Sequence, residues 1–386
     1  MKNKKAAVII AVIVIIASLV SLKVNFPDLT FPVIGSYFNE PDAPSSKGSP
    51  YKHYYAELAP IEKQAYNMIM EKIYDMPEKI LVPNLNEEEL DNVFRALLYD
   101  NPDLFFLGRK CSIKPELWND FFTVEYIISK EEYEAQRAKL KLACDMIIAG
   151  LTQPDNAWQT ELEIHNKIVD GTSYKIEDRE YVYSSAYGCL VNGVAACEGY
   201  SKAAKLLFDR VGIESAVISG TASTSQEKGG AHMWNVVKIE DEWYHLDCTW
   251  DDPVTDKKKP LRLYTYFNVS DEVIGKTHFD FSIDMKCISD SASYYSKAGI
   301  SFPDYSKDDE SSLINKIYEH YRKGEKHIQI NFINEKSYNA AYSQLIANSR
   351  LPVLLSEKRT GSSNLGKKLK GYYEYSELYA LTLIFE

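Results

Sequence analysis

The chain has 386 residues, of which 45% are hydrophobic and 12% aromatic, so it can bury a large core and is long enough for two or three domains. This composition excludes an intrinsically disordered protein. The formal net charge is −11 and no basic stripe is present, which excludes nucleic acid as the expected partner. The three consecutive lysines at 257–259 are expected to form a solvated loop.

The N-terminus has the pattern of a membrane-targeting segment. Three lysines among the first five residues precede an uncharged, apolar stretch at residues 6–22. No small-residue cleavage pattern follows the isoleucine-rich run, which favours an uncleaved anchor over a cleaved signal peptide. The lysines place the N-terminus inside and the rest of the chain outside the membrane. We therefore predict a signal anchor at 1–23 and a linker rich in proline and serine at 24–50. The protein is secreted if the anchor is cleaved.

Cysteine usage indicates neither a disulfide framework nor a metal site, because the spacings match neither pattern. Most of the six cysteines are expected to be small buried hydrophobic residues. No cofactor and no metal ion are expected. The six are Cys111, Cys144, Cys189, Cys197, Cys248 and Cys287.

Residues 51–150 are predicted to form an N-terminal α+β domain. Apolar periodicity predicts a helix after Pro60, a second around residues 90–97 and a third over 131–149. Aromatic runs at 105–107 and 121–128 predict strands.

Residues 151–287 carry the motifs with chemistry. The pattern predicts a helix ending near Asp170, then a helix that begins beside Cys197 and ends at Gly212. Three strands of one antiparallel sheet are predicted to follow, at 216–219, 232–239 and 243–249.

Residues 288–386 are predicted to form a small α/β domain without a catalytic motif. Its predicted helices lie around 313–321 and 338–346, and its predicted strands lie at 328–333, 353–355 and 372–385.

Cys197 is the candidate nucleophile, because the start of a helix favours a thiolate over a thiol. The unpaired N–H groups of a helix start can also stabilise an oxyanion. Gly199 has no side chain, which would let a substrate backbone approach the sulfur. A lone cysteine in an apolar helix is more often part of the core, so the assignment depends on the partners of Cys197.

Those partners are His232 and Asp247. If the turn between their strands falls at Glu240-Asp241, the two side chains project from the same face, because side chains alternate along a strand. The carboxylate would then orient the imidazole, whose other nitrogen would face the thiol.

Three other histidines, His165, His245 and His278, compete for the role of base, and we expect them to be structural or supporting. Trp234 and Trp250 could line the site, together with Trp243, although packing is the more common role of large aromatic residues on strands.

Three segments carry a family resemblance: SSAYGCLVNGVAACEGYSKAAKLLFDRVGI, GGAHMWNVVKIEDEWYHLDCTWDDP and TYFNVSDE. Over residues 160–280 the chain resembles the transglutaminase-like superfamily, particularly its bacterial secreted or membrane-attached members. The upstream segment YDNPDLFFL is similar to a region often found with that domain. The resemblance implies a papain-like α+β core in which the cysteine helix packs on an antiparallel sheet. It also implies Cys197 as nucleophile, His232 as general base and Asp247 as orienting carboxylate.

The sequence thus predicts a membrane-anchored, extracytoplasmic enzyme that transfers acyl groups at amide bonds of proteins or cell-wall peptides. Members of this superfamily include crosslinking enzymes and peptidases, so the acyl acceptor, amine or water, stays open. The alternative is a non-catalytic surface-binding or structural module that keeps the fold.

Overall fold

The computed structural model describes residues 50–117, 119–152, 156–176, 181–223, 229–253, 261–357 and 364–386, without the side chains of 307–309. The predicted anchor at 1–23 and nearly all of the predicted linker lie outside these ranges. Within them, no helix is both long enough and apolar enough to cross a bilayer. Residues from 50 onward belong to one compact unit, and the domain boundaries predicted at 150 and 287 stay predictions.

The first part of the described chain builds a three-stranded antiparallel sheet of order β1-β3-β2, packed against helices. Its elements are α1 (His53–Glu57), α2 (Pro60–Lys72), β1 (Ile80–Val82), α3 (Glu87–Asp100), β2 (Leu107–Glu116), β3 (Asn119–Tyr126) and α4 (Lys130–Ala149). The three predicted helices and the second strand are confirmed. The strand predicted at 105–107 is wrong except at its last residue, because Phe105 and Phe106 lie in a turn closed by Leu107 N–H donating to the Leu104 carbonyl.

The central part contains a five-stranded antiparallel sheet of order β10-β6-β7-β8-β9. The elements are α5 (Ala157–Gly171), β4 (Ser173–Tyr174), β5 (Val194–Ala195), α6 (Cys197–Val211), β6 (Ser215–Ala222), β7 (Gly230–Ile239), β8 (Glu242–Leu246), β9 (Phe267–Val269), α7 (Asp271–Ile274) and β10 (His278–Phe279).

Helix α6 packs on this sheet. Ala203, Leu207 and Phe208 share one core with Val237 and Leu246 from β7 and β8. The helix ends at Gly212, whose φ of 77° is the left-handed conformation that glycine adopts without strain. The predicted fold class, an α+β core with the cysteine helix on an antiparallel sheet, is confirmed.

The last part has a four-stranded sheet of order β11-β12-β14-β13, in which β11 and β12 are parallel. Its elements are α8 (Tyr294–Ala298), β11 (Ser301–Phe302), α9 (Lys307–Arg322), β12 (His327–Phe332), α10 (Glu335–Ala341), α11 (Arg350–Glu357), α12 (Leu365–Lys368), β13 (Leu369–Tyr375) and β14 (Ala380–Phe385).

Two strand predictions in this last part are wrong. Residues 353–355 lie in α11, which buries Leu351 and Leu355, one helical turn apart. Residues 372–385 form two antiparallel strands, since the chain reverses at Ser376–Leu378 and Tyr379 has a φ of 55°.

Candidate active site

Cys197 is the first residue of α6 and is partly exposed. The neighbouring Gly199 serves the protein's own packing. A Cβ there would overlap the Tyr183 carbonyl oxygen and lie 2.8 Å from the Ala195 methyl group. The expectation that Gly199 leaves room for a substrate backbone is therefore wrong, because the protein's own backbone fills that space.

The hairpin of β7 and β8 brings the imidazole and the carboxylate together. Glu240 and Asp241 both have positive φ, 52° and 69°, and Ile239 pairs with Glu242, so the predicted two-residue turn is confirmed. Asp247 follows the end of β8 and lies diagonally across from His232, on the same face. His232 Nε2 lies 2.7 Å from Asp247 Oδ2.

Asp247 is a fully buried carboxylate with hydrogen bonds to both oxygens. Oδ1 accepts from the backbone N–H groups of Thr249, at 2.8 Å, and Trp250, at 3.2 Å. Burial alone would raise the pKa of Asp247, but the charge of His232 and the hydrogen bonds from His232 and His278 outweigh it and hold this pKa well below its usual range. The carboxylate is therefore ionised.

His232 is paired with this charge and with the thiol. Burial lowers the pKa of His232, but the charge and hydrogen bond of Asp247 and the hydrogen bond to Cys197 raise it to about 10. Because Nε2 faces Asp247, the nitrogen left for the thiol is Nδ1. The Cys197 thiol interacts with His232, which in turn binds Asp247, so the structure brings the three side chains together in the predicted order.

The three other histidines have carboxylate partners as well. His165 Nε2 lies 3.1 Å from Asp251 Oδ2, and His245 Nε2 lies 3.0 Å from Asp271 Oδ1. His278 is different because its Nε2 lies 3.1 Å from Asp247 Oδ2, the same oxygen that binds His232. No sequence pattern distinguishes His278 from the other two, since a two-residue strand such as β10 leaves no periodic signal.

Two groups of side chains in the described part of the chain bring three possible metal donors within 4.8 Å of one another: His232, Asp247 and His278, and His245, Asp271 and Cys287. In both groups each imidazole Nε2 faces a carboxylate oxygen at hydrogen-bond distance. In the second group Trp234 Nε1–H donates to His245 Nδ1 at 3.0 Å, so the proton must be on Nε2. The hydrogen bonds between the imidazoles and the carboxylates explain why these side chains lie so close together in both groups.

Residues 145–248 match the family model of the transglutaminase-like superfamily. This segment is a transglutaminase-like domain. No curated protein matches the chain.

Two solved structures have weak overall similarity to the chain. One is a transglutaminase, with 16% identity, a TM-score of 0.28 and coverage of 46% of this chain and 50% of that chain. Another is a candidate cysteine protease from Cytophaga hutchinsonii, with 14% identity, a TM-score of 0.24 and coverage of 38% and 55%. The chain spans about half the length of each.

The transglutaminase-like domain contains all three predicted site residues. The family match, together with the thiol–imidazole–carboxylate chain, supports a general cysteine-based catalytic role. Two of the three tryptophans lie against the imidazole, since the rings of Trp250 and Trp234 have centroids 5.6 and 6.0 Å from that of His232. Trp243 instead contacts Tyr51.

Residues outside the transglutaminase-like domain also reach the cysteine helix. Glu198, which follows Cys197, forms ion pairs with Arg109 of β2 and, at 2.8 Å, with Lys202. Arg109 also donates to Ser184 Oγ at 2.9 Å. Arg109 and Glu198 are 89 residues apart, and no local sequence pattern indicated this contact.

Proposed function

We propose that the protein is a cysteine-dependent acyltransferase or peptidase acting at amide bonds of proteins or cell-wall peptides. The observation that carries the proposal is the arrangement of the Cys197 thiol at a helix start, His232 interacting with it, and the ionised Asp247 bound to His232. A structural cysteine would need neither an imidazole partner nor a carboxylate behind it.

In the proposed mechanism the Cys197 proton passes to His232 before the attack, because the raised pKa of His232 favours the protonated imidazole, and the sulfur then attacks the amide carbonyl carbon. The N–H groups of Cys197 and Glu198, at the start of α6, would stabilise the oxyanion, because the first N–H groups of a helix have no acceptor within it. The C–N bond then breaks, and His232 gives its proton to the leaving amine. Water or a second amine attacks the thioester and His232 accepts its proton. The C–S bond then breaks, and the sulfur leaves as an anion beside the protonated His232, which restores the starting pair.

The proposed location is outside the cytoplasm, held to the membrane by residues 1–23 or secreted if that segment is cleaved. The support is the sequence pattern of lysines and apolar residues alone.

All six cysteines are free thiols in the described structure, and four of them are buried.

The decisive experiment compares amine incorporation with amide hydrolysis on casein and on peptidoglycan peptides. Wild-type protein is expected to catalyse one or both, with a thioester on Cys197 detected by mass spectrometry. Cys197→Ala and His232→Ala should be inactive. The matched control is Cys111→Ala, which removes the other partly exposed cysteine and should keep full activity.

Alkylation by iodoacetamide provides a test without a substrate. Cys197 should react rapidly at neutral pH, and more slowly in His232→Ala. Burial raises the pKa of the Cys111 thiol to about 12, so Cys111 should react slowly in both proteins and serve as internal reference. Slow alkylation of Cys197 together with no turnover on either substrate class would contradict the proposal and favour a non-catalytic module.

A further inference from the structure

Asp247 binds two imidazoles through a single oxygen. Oδ2 lies 2.7 Å from His232 Nε2 and 3.1 Å from His278 Nε2, while Oδ1 is occupied by two backbone N–H groups. An ionised carboxylate is only an acceptor, so both Nε2 atoms must carry protons. The proposed mechanism uses His232 and leaves the second imidazole without a role.

The surroundings of His278 fix its tautomer. Thr277 Oγ1 lies 2.9 Å from His278 Nδ1. Burial lowers the pKa of His278, and the nearby His232 and His245 lower it too, against the opposing effect of Asp247. The ring is therefore neutral, with its proton on Nε2, and Nδ1 accepts from the Thr277 hydroxyl. His278 is a donor to Asp247 at any pH where the fold is stable.

Aromatic rings also fix the position of His278. Its ring centroid lies 4.8 Å from those of Trp234 and Trp250 and 5.3 Å from that of Tyr266. The strand pairing of His278 with Ala222 holds its backbone at the edge of the sheet. The donor that meets Oδ2 is consequently rigid, and it is 1% exposed.

We propose that His278 is a positioning residue that holds Asp247 Oδ2 as a fixed acceptor and thereby aligns His232 with the Cys197 thiol. The inference rests on the proposed function. No proton or bond passes through His278. Without its N–H, Oδ2 keeps His232 as its one donor and can shift while the backbone N–H groups still hold Oδ1, so that the imidazole loses the alignment on which proton transfer depends.

The test compares two replacements in the full-length chain. His278→Phe fills the space but removes the donor, and is expected to lower kcat and the rate of Cys197 alkylation about 10- to 100-fold with little change in KM. His278→Gln places an amide N–H near the position of Nε2 and should restore most of both rates. The matched control is His320→Phe, which removes a buried imidazole bound to Glu325 and should keep wild-type rates.

Spectroscopy gives a readout that a merely structural role would not produce. In protein labelled with ¹⁵N-histidine, the signal lost in His278→Gln should show a proton on Nε2 and a bare Nδ1 at pH 7–8. A bare Nε2, with the proton on Nδ1, would overturn the proposal.

The outcomes separate this inference from the proposed function. If Cys197→Ala or His232→Ala keeps wild-type activity, the proposed function fails. If those variants are inactive while His278→Phe keeps wild-type kcat and alkylation, only the role of His278 is overturned. A loss of rate in His278→Phe that Gln does not restore would also overturn it, because the N–H donor would then not be the cause.

Discussion

Glu161 in α5 should make the stability of this protein fall as the pH rises. Its carboxyl group is fully buried and Oε2 accepts from Asn268 Nδ2 at 2.7 Å, whereas Glu161 Oε1 and Asn268 Oδ1 have no hydrogen-bond partner among the described residues. When Glu161 is ionised, both of these oxygen atoms are acceptors without a donor. A protonated carboxyl group can donate a hydrogen bond and so removes part of this cost. Burial raises the pKa of Glu161 from 4.5 to about 8, against the opposing hydrogen bond from Asn268.

The magnitude follows from the two pKa values. Between pH 4.5 and 8 the unfolded chain has lost this proton and the folded chain has kept it, so each pH unit lowers the free energy of unfolding by about 1.4 kcal/mol. The loss reaches about 3 kcal/mol at pH 7 and about 4 kcal/mol at pH 8, where the folded carboxyl group is itself half ionised. Glu161→Gln keeps a donor and an acceptor but has no proton to lose. It should match wild type near pH 4 and exceed it by about these amounts at pH 7 and 8.

Urea unfolding of the full-length protein from pH 4 to 9 measures this difference. The matched control is Glu163→Gln on the same helix, because Glu163 is a partly exposed carboxylate. Burial would raise its pKa, but the hydrogen bonds from Thr152 outweigh burial and lower it. The free energy of unfolding of Glu163→Gln should not rise relative to that of wild type as the pH increases. A difference between Glu161→Gln and wild type that stays constant from pH 4 to 9 would refute the reasoning.

Three further changes have definite expected results. Gly199→Ala should lower the free energy of unfolding by roughly 1–3 kcal/mol in thermal or urea unfolding, because its methyl group overlaps the Tyr183 carbonyl; an unchanged midpoint would contradict this. Asp247→Asn removes the charge that raises the pKa of His232, so the basic limb of kcat/KM against pH should move to lower pH, and an unmoved limb would count against the pairing. Lys205→Met should cost roughly 3–5 kcal/mol at pH 8 in urea unfolding, because it leaves the Asp209 carboxylate, only 9% exposed, without its cation. This cost should be smaller at pH 5, since burial raises the pKa of Asp209 to about 6 even with Lys205 present, and an equal cost at both pH values would contradict this.

The parts of the fold that follow local rules could be predicted from the sequence. Helix α6 has apolar residues at three- and four-residue intervals and a glycine at its end, and it forms where the pattern predicts. The hairpin of β7 and β8 follows from alternation around Glu240-Asp241, and this register puts His232 and Asp247 on one face. The strand prediction at 353–355 is wrong because a short apolar run fits a strand and a buried helix face equally well.

The supporting contacts could not be predicted, since they join distant parts of the chain. His278 meets Asp247 across 31 residues and Arg109 meets Glu198 across 89. Each depends on how the sheet edges and the N-terminal strands pack, which no local periodicity encodes. A carboxylate without an adjacent basic residue, such as Glu161, likewise gives no sign in the sequence that it will be buried.

The order of strands in the central sheet has a practical consequence for designing shorter fragments. A fragment cut at residues 145–248 would omit both edge strands, β9 and β10, and expose the hydrogen-bonding groups of β8 and β6. Unpaired strand edges promote aggregation. Such a fragment would also lack Asn268, His278 and Arg109, each of which is one partner of Glu161, Asp247 and Glu198 respectively. The smallest unit worth expressing is therefore considerably longer than the segment by which the family is recognised.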